Sequence, residues 1–271
     1  MNYFITSDNI KIYYSIEGKG TPILFVHGFT ATHDVFRVSQ KILSKYNMVI
    51  SYDLRGHGLS VGSNQEITIE LLASDLKEFI DKLNLDNIVL VGWSLGGSII
   101  FEYIKQFGLY RISNICLIDT SPRVINDVSW SLGLYHGDYN MQDAKMDLDI
   151  MQKSWSDFAI KFIKSFSINL NENQLKFAYD RIKNNNQIRM FEIWKSLINK
   201  DYRNVLENIN APTLIIFGGK SNLYSTEVGH YLNRRIKNST LIIFENNSHL
   251  LLQENPTRIS RVLRDFILNK W

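Results

Sequence analysis

The chain has almost no cysteine: the one residue of that type in 271, Cys116, cannot form an internal disulfide. It lies in the apolar run Ile115-Cys116-Leu117-Ile118 and reads as a buried strand residue, in keeping with a cytoplasmic setting. Charge of one sign is also scarce. The net charge is +3, and lysines and arginines are scattered among acids, which excludes the basic face that a nucleic-acid partner requires. No apolar run reaches membrane-spanning length, and Met1 to Asn9 lack the basic-then-apolar pattern of a signal peptide, so neither a leader nor an anchor is expected. The spacings H-x-x-x-H and H-E-x-x-H are missing, there is no cysteine pair, and no G-x-G-x-x-G follows a strand. No metal and no cofactor are therefore expected.

What is present describes a globular protein. Hydrophobic residues make up 45%, and 13 Tyr with 15 Phe exclude a mainly disordered chain. The length suits one large α/β domain with an insertion. Two alternating segments, Asn2 to Thr6 and Ile10 to Ile16, predict an edge hairpin. Strand-like runs follow at Ile23 to Val26, Met48 to Tyr52, 87 to 92, 114 to 118, 213 to 217 and 240 to 244. Helical patterns at 66 to 83, 95 to 107 and 255 to 268 alternate with them, as expected for a mostly parallel sheet flanked by helices.

The alternation fails only between Pro122 and about Val205, where the helix-like stretches are Ser154 to Ser165, Glu172 to Lys183 and Gln187 to Lys200. This predicts a core of 1–121 and 206–271 with a helical lid at 122–205. Phe158, Phe162 and Phe166 form one apolar stripe; Phe191, Trp194 and Leu197 form another. Each stripe needs a surface to lie against, either the sheet edge or the other stripe. The polar run Asn184-Asn185-Asn186 reads as a turn between helices.

Catalytic chemistry concentrates at Gly92-Trp93-Ser94-Leu95-Gly96-Gly97, a G-x-S-x-G between a buried strand and an apolar helix. A sharp strand-to-helix turn exposes such a serine at its tip, and the flanking glycines remove side chains that would collide. The bland alternative is a glycine turn with an incidental serine, and the strand-turn-helix order weighs against it. Together with His27-Gly28, Asp53-Leu54-Arg55-Gly56-His57-Gly58 and Ser248-His249 before Gln253-Glu254-Asn255-Pro256, each after its own strand, the pattern resembles the α/β-hydrolase superfamily over nearly the whole chain. The resemblance implies nucleophilic catalysis by Ser94 with a late histidine and a carboxylate.

Of six histidines, His249 is placed at the same sheet edge as Ser94 by the strand and short loop before it. An imidazole there can take and return a proton near neutral pH. His27 reads as structural, His57 lies in a glycine-flanked turn, and His33, His136 and His230 read as solvated. The acid departs from the family pattern: where most relatives carry G-x-x-D, this chain reads Gly218-Gly219-Lys220-Ser221. Asp119, at the end of the preceding sheet strand, is the expected replacement, against a plain role as cap of the turn Thr120-Ser121-Pro122. Glu245 and Glu227 are weaker candidates.

The oxyanion hole is expected from the backbone N–H of Leu95 and, by the resemblance, of Phe29. Trp93, Trp130 and Tyr135 are candidate pocket residues beside them. The expected activity is cofactor-independent hydrolysis of a small-molecule carboxylic ester by a monomer or small homo-oligomer. Carbon–carbon bond hydrolysis and perhydrolysis remain open on the same scaffold, as does a non-enzymatic ligand receptor, which the missing carboxylate at position 221 motivates.

Overall fold

A computed structural model describes residues 2–166 and 171–269. Eight strands form one sheet in the order β1-β2-β4-β3-β5-β6-β7-β8, with β1 at Asn2–Ile5, β2 at Lys11–Glu17, β3 at Pro22–Val26, β4 at Met48–Tyr52, β5 at Ile88–Trp93, β6 at Ile112–Ile118, β7 at Thr213–Gly218 and β8 at Ser239–Phe244. The first hairpin is antiparallel, as its alternation predicts, and β2 also meets β4 antiparallel; every other pairing is parallel. The parallel strands are continuous apolar runs because both faces are covered. On β5 every residue from Ile88 to Trp93 is buried.

The two faces carry separate cores. One packs Leu24, Val26, Ile50, Leu90, Ile115 and Leu117 under helices α2, Ile69–Lys82, and α3, Leu95–Phe107. The other packs Ile23, Phe25, Val89, Val91 and Cys116 against the short helix α1, Arg37–Leu43, and the C-terminal helices. Cys116 is buried, as its strand context predicts.

Boundaries differ from the sequence reading where capping decides them. Helix α2 starts at Ile69 and not at 66, because the Thr68 hydroxyl accepts a hydrogen bond from Leu71 N–H while Glu66 pairs with Lys195. The last helix, α10 at Pro256–Ile267, matches the expected 255–268, with Pro256 in its first turn, and a four-residue helix, α9 at Leu251–Glu254, precedes it.

Between β6 and β7 the described residues hold four α-helices, two short 3-10 turns at Leu134–Gly137 and Leu206–Asn208, and no strand; the α-helices are α4, Met141–Lys153; α5, Trp155–Phe166; α6, Glu172–Ile182; and α7, Gln187–Leu197. Helix α4 was not expected; Met141, Ala144, Leu148 and Met151 form its inward face, and a reciprocal capping box between Asn140 and Asp143 starts it. The three-asparagine turn is observed, and Asn186 caps α7 through Arg189 N–H. The inward face of α7 is Met190, Ile193, Trp194 and Leu197, so Phe191 lies off the stripe and is only partly buried. Helix α8, Thr226–Arg235, follows β7 and packs on it. No described helix is long and apolar enough to cross a membrane.

Candidate active site

Ser94 stands between the end of β5 and the start of α3 with φ 54° and ψ −119°, a strained left-handed conformation for a non-glycine residue. Its backbone is held on both sides: Ser94 N–H donates to the Ile118 carbonyl at 3.0 Å, and the Ser94 carbonyl accepts from Gly97 N–H at 2.9 Å and from the Thr120 hydroxyl at 2.9 Å. The motif glycines are required by close approach. A Cβ on Gly96 would lie 2.1 Å from the Val26 carbonyl oxygen, and one on Gly92 would lie 2.6 Å from the Gly96 backbone.

Asp119 follows β6, the strand paired with β5, and is fully buried. Its Oδ1 lies 2.8 Å from His249 Nδ1 and accepts a second hydrogen bond from the Ser221 hydroxyl at 2.9 Å; its Oδ2 accepts from Gly218 N–H at 2.9 Å. Three donors thus satisfy a buried carboxylate, one of them from the position where the family pattern has its own acid. A plain turn cap does not account for this set, since two of the donors belong to a segment about a hundred residues later. Ser221 is the residue that sequence reasoning undervalued. A serine there cannot replace a carboxylate, but its hydroxyl reaches one. Glu245 and Glu227 are solvent-exposed.

His249 is 2% exposed and is clasped by aromatic rings. Phe166 stacks on it with centroids 5.7 Å apart and planes 10° from parallel, and Trp93 lies at 5.3 Å and donates its indole N–H to the His249 carbonyl. The loop before it is pinned by Glu254, which accepts from Ser248 N–H, the Ser248 hydroxyl and the Asn247 amide. With Nδ1 facing the Asp119 carboxylate, Nε2 is left as the atom available to a proton in transit. Ser94 Oγ has no hydrogen bond to it among the described residues; such bonds are often long in ligand-free sites and tighten on binding.

Two backbone N–H groups, those of Phe29 and Leu95, have no acceptor among the described residues. The loop carrying Phe29 is fixed from beneath by His27. Leu54 N–H donates to His27 Nε2, so Nδ1 carries the proton and donates to the Gly28 carbonyl. Burial pushes the His27 pKa down to about 4, which keeps it neutral. His57 packs edge-on against His27, is also fully buried, and is pushed down to about 3, first by burial. Its Nδ1 faces the Arg55 carbonyl at 3.3 Å, and its Nε2 has no partner among the described residues. His33 is not solvated: it is half-buried, with Nδ1 2.7 Å from Asp53 Oδ1. The rest of that motif is structural as well, with Arg55 bridging Asp8 and Asp75. His230 and His136 are exposed, the latter donating from Nε2 to the Ser221 carbonyl.

A small cavity of about 20 Å³ lies over Ser94, bounded by Phe29, Leu95, Ser98, Phe162, Trp194 and other apolar residues. A larger cleft of about 740 Å³ opens beyond Phe29, with Trp93, Phe166 and Leu250 in its wall. Trp93 thus lines the cleft and not the cavity at the serine. Trp130 and Tyr135 line neither. The Trp130 indole is turned away to donate to the Arg123 carbonyl and packs on Tyr231, while Tyr135 sits in a left-handed turn bonded to the Leu223 carbonyl, its ring edge-on to Tyr139. Nothing in their sequence context separates those roles. No cluster of three or more potential metal ligands occurs among the described residues.

The sequence model of the alpha/beta hydrolase fold matches residues 21–256. The AB hydrolase superfamily protein YisY of Bacillus subtilis (strain 168) is 26% identical over 98% of each chain. A pimeloyl-[acyl-carrier protein] methyl ester esterase of Neisseria meningitidis is 25% identical over 90% of this chain and 76% of its own length. The structure of an esterase from Exiguobacterium antarcticum superposes with a TM-score of 0.88 at 22% identity over 98% of both chains, a likeness of fold.

Proposed function

Because the chain belongs to the alpha/beta hydrolase fold family, we propose that it is a serine hydrolase of carboxylic esters working through an acyl-enzyme on Ser94. The observation that carries this is the buried hydrogen bond of 2.8 Å between His249 Nδ1 and Asp119 Oδ1, which orients an imidazole at the sheet edge that bears a strained serine. Ser94 Oγ attacks the ester carbonyl carbon while its proton passes to His249 Nε2. The developing oxyanion accepts from the N–H groups of Phe29 and Leu95; one such donor contributes about 3 kcal/mol of transition-state stabilisation in comparable sites. As the bond from carbonyl carbon to alkoxy oxygen breaks, His249 returns the proton to the leaving alcohol. Water then attacks the acyl carbon as His249 Nε2 takes one of its protons, and the bond from acyl carbon to Ser94 Oγ breaks as His249 returns that proton to Oγ, releasing the acid. Asp119 accepts the Nδ1–H throughout and stays ionised, with Ser221 and Gly218 holding it.

The insertion 122–205 acts as a cap over this site. What supports that reading is contact: Phe162 and Phe166 of α5 and Trp194 of α7 pack on Phe29 and His249, and Asn185 donates to the Thr30 carbonyl beside the oxyanion loop. The test is a 4-nitrophenyl acetate assay with and without Ser94→Ala. Turnover that disappears in a variant of unchanged melting temperature is the expected result, and unchanged turnover refutes the assignment. Binding of esters by both forms with no turnover in either would point to a receptor.

A further inference from the structure

Two spaces of very different size meet at Phe29, one of them over Ser94, and the difference bears on which half of an ester lies where. The cavity over the serine holds about 20 Å³, room for one water molecule and so for one methyl group. Three rings close it: Phe29 lies 5.5 Å from Phe162 and 5.1 Å from Trp194, and Phe162 lies 6.0 Å from Trp194. All three are nearly fully buried, and Phe158 packs behind them. Widening the cavity therefore means displacing packed aromatic side chains, which costs more than a methylene gains on burial.

The cleft beyond Phe29 has about 740 Å³, in the range of sites that enclose a drug-sized molecule. Neither Ser94 nor His249 lines it, but three neighbours of His249 stand in its wall: Leu250 follows it in the chain, Phe166 stacks on its ring, and Trp93 holds its carbonyl. The leaving alcohol must receive a proton from His249 Nε2, so it departs on the histidine side. The acyl group stays on Ser94, above Leu95 and Ser98 of α3, and is confined to the small cavity.

We infer that the substrates are acetyl-sized esters of bulky, mainly apolar alcohols, with the acyl methyl in the cavity at Ser94 and the alcohol in the cleft between α1, α5 and α6. This rests on Ser94 being the nucleophile. The selectivity belongs to Phe162 and Trp194, which set the depth of the acyl side.

Octyl acetate and methyl nonanoate are isomers that carry the same chain on opposite sides of the ester, so kcat/KM for the pair isolates the division. A preference for octyl acetate on the order of 100-fold is expected, from several methylenes that find no room. Equal rates, or faster cleavage of methyl nonanoate, overturn the inference. In Phe162→Ala, the ratio of 4-nitrophenyl butyrate to 4-nitrophenyl acetate hydrolysis should rise about tenfold, and a ratio that stays put assigns the limit elsewhere and refutes the role of Phe162. The ratio is internal, so it survives partial loss of folded protein. If neither isomer is cleaved while a fluorophosphonate still labels Ser94, the substrate class is wrong and the nucleophile stands. If Ser94 is not labelled, both readings fall.

Discussion

The sheet edge and the helical insertion hold their parts of the site by different means. At the edge, polar groups are fixed one by one: Asp119 by three donors, His249 by Asp119 and Trp93, and the Ser94 backbone by Ile118, Gly97 and Thr120. Across the site, the insertion contributes rings that touch rings, and its outermost helix α6 buries no residue at all. Directional bonds on a rigid sheet suit chemistry that fails with a displacement of an ångström, whereas apolar walls suit discrimination by size, which tolerates more. The difference implies that edge variants lose rate on every ester, while insertion variants change which ester is preferred.

The largest effect should come from His249→Ala, with turnover on all esters falling by about 10⁶ because members of such a unit fail together. His27→Ala should not copy it, since both His27 ring nitrogens are committed to the backbone. A matching loss in His27→Ala with an active His249→Ala would exchange their roles.

A second expectation concerns acid. His27 and His57 are neutral in the fold, with pKa values near 4 and 3, whereas in the unfolded chain each titrates near 6.5. Below pH 6.5 the unfolded state takes up protons that the folded state refuses, so their contribution to stability is whole above that pH and is lost as pH falls toward the folded values. At pH 5 this amounts to about 2 kcal/mol for each histidine. Helices α4 to α7 carry no histidine, so the loss originates beneath the loop that carries Phe29. Thermal melts at pH 7.5 and pH 5 should differ by many degrees, and by less in His57→Phe; a melting temperature independent of pH over that window would contradict the neutral burial.

Ser221→Ala should have the smallest effect. It removes one of three donors from Asp119 without touching His249, and a tenfold loss of kcat with little change in KM is expected. Ser221→Thr, which keeps the hydroxyl, should restore most of it. A silent Ser221→Ala would reduce this contact to packing.

Much of the edge is readable from the chain because its elements are set by neighbours in sequence. The apolar strands, the glycines either side of Ser94 and the position of His249 after a strand and short loop need no knowledge of distant residues. Asp119 is readable for the same reason, once Ser221 is seen not to be an acid. That Ser221 donates to Asp119 is not readable, because the contact joins positions 102 apart in the chain and depends on how β6 and β7 pair. The insertion is legible as helices but not as a wall. Apolar spacing locates Phe162 and Trp194 on buried faces, yet it cannot distinguish them from Trp130, whose ring packs on Tyr231 away from the serine. Capping side chains, Thr68 and Asn140 among them, moved or created helix starts that periodicity alone missed.

The central claim, that the acid has moved from the loop after β7 to the end of β6, is tested most directly by the rate at which a fluorophosphonate labels Ser94 in Asp119→Asn. The asparagine keeps the shape and most of the hydrogen bonds of a turn cap but favours the wrong imidazole tautomer. Labelling should slow by a factor on the order of 10⁴ at neutral pH in a folded protein, and Ser221→Asp in the same chain should recover part of it. Labelling of Asp119→Asn at the wild-type rate would contradict the assignment of Asp119 and leave its bond to His249 without a role in catalysis.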